Sequence, residues 1–159
     1  MLQRTDAADA IDPLMRPFFE RSGLAALRLG GRALLPIVQG GMGVGVSAHK
    51  LAGNVASLGG VGTISSVDLR RHPPDLMERT QGLASRPGMD ADTKAVIDAA
   101  NLEAIGREIR AARVLSEGRG LLAINVMRAV AEYAASVKKA LEAGIDAVVV
   151  GAGLPLDLP

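Results

Sequence analysis

A chain of 159 residues suits one ordinary domain and falls short of the roughly 250 that a complete eightfold α/β barrel takes. Its 18 Lys and Arg and 17 Asp and Glu are spread along the chain and leave a net charge of +1, which excludes an electrostatic footprint for nucleic acid or an anionic membrane. The absence of cysteine excludes disulfides and thiolate metal sites, and with Phe18, Phe19 and Tyr133 as the only aromatics a base-stacking surface is not expected, so small-molecule chemistry in the cytoplasm is the expectation that remains.

Residues 1–23 read as a lead segment. The run MLQRTDAADAIDPLMRPFF mixes acids and bases where a secretory peptide needs an unbroken apolar core, and no apolar run approaches bilayer length. From residue 24 onward the pattern is of strands alternating with helices. Apolar runs on either side of Gly30 and Gly31 predict a hairpin leading into a buried strand over residues 34–38. A glycine cluster, QGGMGVG, follows. Leu51, Val55 and Leu58 recur at helical spacing, so residues 48–58 are expected to form an amphipathic helix stopped by Gly59 and Gly60. VGTIS is the second strand.

Residues 67–97 carry RRHPPD and SRPGMDADT, and read as a surface insertion with one short helix. Helical pattern resumes at Asn101, a candidate N-cap, with Leu102, Ile105, Ile109 and Ala112 on one face and Gly118 beyond the end. LLAINVM is the third strand. A helix over residues 132–143 turns Val137, Ala140 and Leu141 inward, Gly144 stops it, and AVVV makes a fourth strand running into GAGLP. ASLGGVGTIS and LEAGIDAVVVG echo each other as helix end, glycine stop and apolar strand. Continuous apolar strands between amphipathic helices imply a parallel sheet, whose ligands sit at the carboxyl ends of the strands.

The glycine cluster at the first such end permits two readings. Gly43, Gly45 and Ala48 satisfy the G-x-G-x-x-A dinucleotide fingerprint, with Asp68 at a tolerable distance for a ribose contact. Alternatively Gln39, Gly40, Gly41 and Met42 matter most, since a flat ring laid across strand ends needs backbone without side chains beneath it. Glycines serving only a tight turn and close helix packing explain the cluster as well.

In that order, LLPIVQGGMGVGVS, GGVGTIS, LAINVM and GAGLP resemble the nitronate monooxygenase family, formerly called 2-nitropropane dioxygenases, over residues 34–159. The resemblance implies the first four strands of a TIM-type (β/α)8 barrel that binds FMN and oxidises alkyl nitronates with O2; a related flavin branch reduces enoyl-acyl-carrier-protein. It places Gly40, Gly41 and Met42 along the flavin ring and Asn125 at its pyrimidine or ribityl side. Gly151 with its neighbours would leave room over the substrate, and Gln39 would orient the ring or bond backbone.

The family's phosphate cup and its catalytic His lie in later segments that this chain does not match, so no catalytic residue is assigned. His49 and His72 read as solvated or capping. Asp90 and Asp92, in a loop without His or Cys nearby, give no support for a metal, and Glu103, Arg107 and Glu108 read as solvated helix charges. The serines of SAHK and TISS lack a readable His–Asp partner. A truncated chain with little activity and weak FMN binding is therefore expected, with self-association or a partner supplying a second half as alternatives. A Rossmann-type NAD(P)-binding fragment and a non-catalytic interaction subunit are the other readings.

Overall fold

Gly30 and Gly31 take φ of 57° and 77°, the left-handed pair that a two-residue hairpin turn demands. They join β1 (Leu27–Leu29) to β2 (Arg32–Leu34) as the expected antiparallel hairpin, with Leu27 opposite Leu34. The computed structural model describes residues 10–83 and 90–156. Before the hairpin, a short helix, α1 (Arg16–Ser22), ends at Gly23 in a left-handed cap.

The strand expected over residues 34–38 is only partly made. Leu34 closes the hairpin, while the chain after Pro36 makes one parallel bridge, Val38 to Val61, with Val61 N donating to Ile37 O and Gln39 N donating to Val61 O, both at 2.9 Å. Pro36 has no N–H to give and nothing pairs the outer edge of this segment among the described residues, so Ile37 and Val38 are exposed rather than buried.

Beyond that edge, β3 (Val61–Ser65), β4 (Leu121–Met127) and β5 (Ala147–Gly151) form a three-stranded parallel sheet in sequential order. The register puts Ser65 beside Asn125, Asn125 beside Val149 and Met127 beside Gly151. The helices α2 (His49–Ser57), α4 (Ala91–Ser116) and α5 (Tyr133–Glu142) pack on one face in the order α2, α4, α5. Ile64, Leu122, Ile124 and Val126 point to that layer and join Ile105, Ile109 and Ala140 in the main core. The alternate residues Val61, Leu121 and Ala123 point the other way, toward Leu34 and Ala10. The result is a mixed α/β fold with one helical layer; the described residues do not close into a barrel.

Further expectations are corrected. In α2 the buried stripe is Ala52, Gly53 and Ala56, not Leu51, Val55 and Leu58, because α2 lies so close to α4 that a Cβ on Gly53 would sit 2.7 Å from Leu115 Cβ. Residues 67–83 hold the one short helix expected, α3 (Pro74–Thr80), yet are not only surface: the 3-10 turn (Leu69–Arg71) and α3 bury Leu69 and Leu76 completely in the main core. The part of SRPGMDADT before Asp90 lies outside the described residues.

Asn101 is not the N-cap of α4. The helix begins ten residues earlier, where the Asp90 carboxylate accepts from Thr93 N at 2.6 Å, a cap worth about 1 kcal/mol. Asp92 thus lies in the first turn of α4 and not in a loop. Asn101 sits mid-helix and donates to Ser66 O at 3.0 Å, which levels this point of α4 with the end of β3. Finally, Leu141 is exposed, and α5 is held inward by Tyr133, Val137 and Ala140. The echoed glycines both behave as stops, with φ of 102° at Gly59 and 83° at Gly144.

Candidate functional site

At the carboxyl ends of the strands, residues 39–47 fold back over the sheet, and one buried hydroxyl organises them. Ser47 Oγ accepts from Met42 N and from Gln39 Nε2, each at 2.8 Å, and donates to Gly40 O at 3.1 Å. The other end of the Gln39 amide, Oε1, accepts from Thr63 N at 2.9 Å, and Nε2 also donates to Gly40 O. Gln39 therefore ties the loop to β3 with both ends of its amide. Ser65 N closes the clasp by donating to Ser47 O at 2.9 Å.

Each glycine of the loop meets a different surface. A Cβ on Gly41 would lie 2.5 Å from Asn125 Cβ, so the peptide there rests directly on β4, and Asn125 Nδ2 reaches Gly41 O at 3.5 Å. A Cβ on Gly43 would touch Val67 and Ser65 at ordinary distance, and Gly45, at φ 75°, faces the ring of His72. A Cβ on Gly40 would meet nothing within 4 Å. Gly151 stands two registers along β5, its Cβ direction 4.0 Å from Asn125 Oδ1, and Met42 is 48% exposed at the rim. Gly40, Gly41, Met42, Asn125 and Gly151 thus converge on one end of the sheet. Asn125, by strand alternation, shares the face of Thr63 and Ser65 opposite the helices.

A cavity of about 240 Å³ adjoins these ends, lined among others by Ser66, Asp68, Lys94, Asn101, Met127 and Glu132. Lys94 Nζ holds Asp98 at 2.6 Å and also bonds Glu132. The Lys94 hydrogen bond keeps the Glu132 carboxyl below the usual carboxylate range, while Asp98 and then Glu132 raise the ammonium above the usual lysine value. With Glu132 depressed, its contribution is complete above the ordinary carboxylate value of about 4 and is lost as pH falls through the lower folded value. In Lys94→Ala the Glu132 carboxyl should titrate at a higher pH than in the wild type, read by its NMR shift against pH; an unmoved midpoint would contradict the bridge. A larger cleft, about 330 Å³, lies at the amino ends of the strands among Ala10, Ile11, Arg32 and Arg119, far from this site.

The fingerprint reading fares differently. Asp68 takes a left-handed backbone, φ 50°, and its carboxylate pairs with Arg70 and Arg71, each at 3.1 Å. The solvated pairing expected of Glu103 and Arg107 is present, extended to Asp75 and Arg79. The reading of Glu108 as a solvated charge is corrected, while His72 is exposed as expected and His49 half-buried, both with a partner the sequence did not indicate. Glu108 is only 4% exposed, and its carboxylate accepts from His49 N at 2.7 Å and contacts both imidazoles, His49 Nδ1 at 2.6 Å and His72 Nδ1 at 3.1 Å. Nothing in the local sequence signals this, because the partners lie 59 and 36 positions from Glu108.

Fold and site together define an α/β protein with a parallel sheet, one helical layer and a glycine-lined clasp at the strand ends. No family model and no curated protein matches the chain. Among the described residues no helix is long and apolar enough to cross a membrane.

Proposed function

We propose that the strand-end face of Gly40, Gly41, Met42, Asn125 and Gly151 receives the isoalloxazine ring of FMN. In this reading the chain supplies the first four strands of a (β/α)8 barrel of the nitronate monooxygenase kind, acting on alkyl nitronates. Bound FMN would accept electrons from the nitronate and pass them to O2. The observation that carries the reading is the bare peptide at Gly40, open on its Cβ side, beside an amide on the same sheet end. Sequential strand order with helices on one face supports a barrel over the doubly wound arrangement, which reverses strand order and covers both faces.

The chain's own residues would divide the work. The Gly40 and Gly41 peptides offer a flat floor, and the Asn125 amide can both donate and accept along a flavin edge. Gln39 and Ser47 hold the floor rigid without touching the ligand.

The test is flavin binding by the 159-residue chain, followed by fluorescence quenching of FMN. Wild type should saturate. Gly40→Val should raise the Kd at least tenfold with a melting temperature close to wild type, since a Cβ at this position meets no protein atom within 4 Å, and Asn125→Ala should raise it by about 5- to 150-fold, the equivalent of 1–3 kcal/mol. Gly40→Val binding FMN like wild type would overturn the assignment. NADH binding lost in Asp68→Ala would favour the dinucleotide reading, and a stable oligomer without flavin the interaction subunit.

A further inference from the structure

The cluster of His49, His72 and Glu108 is independent of the flavin reading. It joins three elements: His49 opens α2, His72 follows the 3-10 turn, and Glu108 lies in the middle of α4. Glu108 is buried, yet among the described residues its charge faces two imidazoles and no Lys or Arg. One donor atom from each of the three residues lies within 4.8 Å of the others.

We propose that these three side chains form a binding site for a divalent transition-metal ion, zinc foremost, with two imidazole nitrogens and one carboxylate oxygen as ligands. The ring geometry suits it. The imidazole centroids stand 5.6 Å apart and the planes are inclined by 79°. Two imidazoles on one tetrahedral ion, with Zn–N of about 2.0–2.1 Å, place their centroids about 5 Å apart. The His72 to Glu108 spacing of 3.1 Å is close to the separation of neighbouring ligands on such an ion, and the His49 contact of 2.6 Å has to open by several tenths of an ångström.

Nitrogen and oxygen donors in a two-to-one set select zinc-like ions over calcium or magnesium, which take oxygen. Three protein ligands leave one position for water. The site also abuts the glycine clasp, since a Cβ on Gly45 would lie 3.4 Å from His72 Cδ2. A bound ion would therefore fix the outer limb of residues 39–47 to α4.

Calorimetric titration of zinc chloride into the chelator-treated full chain at neutral pH tests the site. One equivalent should bind. His72→Ala and Glu108→Gln should each weaken binding by more than the roughly 10- to 100-fold that loss of an outer partner costs. The chain has two histidines, so added zinc should shift the NMR signals of both imidazoles together at one equivalent. Absence of saturable zinc binding, or equal affinity in His72→Ala, overturns the proposal. His72 is partly exposed, so that variant carries the test even where Glu108→Gln fails to fold.

Discussion

Gly62→Ala should lower the unfolding free energy by about 3 kcal/mol, read from the urea midpoint at constant slope. Gly62 lies on the helix side of β3, and a Cβ there would run into the backbone of Ala52 in α2, 2.6 Å from its carbonyl carbon and 2.9 Å from its Cα. Backbone atoms have no rotamer to change, so the whole helix has to lift off the sheet. That movement also pulls on the tight contact of Gly53 with Leu115, where α2 meets α4. Gly40→Ala is the control, because the added methyl meets open space and stability should stay within about 0.5 kcal/mol of wild type. Equal stability of the two variants would mean that α2 does not press on the sheet as described.

Glu108→Ala should cost about 2–3 kcal/mol in chelator-containing buffer, by the same measurement. Three N–H groups lose their acceptor at once: the first amide of α2 and the two imidazoles. The amide is the costly one, since helix-start donors have no partner of their own within the helix. Glu108→Gln keeps a carbonyl oxygen in reach and should recover part of the loss. If Ala and Gln prove equally mild, the carboxylate does not hold α2 to α4.

The sheet was legible where sequence and packing make the same demand. VGTIS and LLAINVM are largely buried along their length and each follows a glycine with positive φ, Gly59 or Gly120, and both strands stand where the pattern put them. The start of α4 was hidden because its first turns carry ADTKAVIDAA, whose residues up to Ala99 lie outside the core and so need no apolar stripe. Leu69 and Leu76 were masked by the charges and prolines around them, and only the tertiary contact with α4 reveals their burial. At the candidate site, Gln39, Gly40, Gly41, Met42, Asn125 and Gly151 could be named because strand ends are predictable places. The imidazole–carboxylate cluster could not, since sequence distance conceals a meeting of three elements.

The length of α4 has its own consequence. At 1.5 Å per residue its 26 residues span about 39 Å, whereas β4, with seven residues, spans about 23 Å. Asn101 is level with the end of β3, so the ten residues from Ala91 to Ala100 stand above the sheet as a parapet, braced sideways by Lys94 against Glu132. The depth of the adjoining cavity is therefore set by helix length and not by the sheet. Trimming α4 by one whole turn from its start would remove part of this parapet while Ser66, Asn101 and Met127 stayed in place.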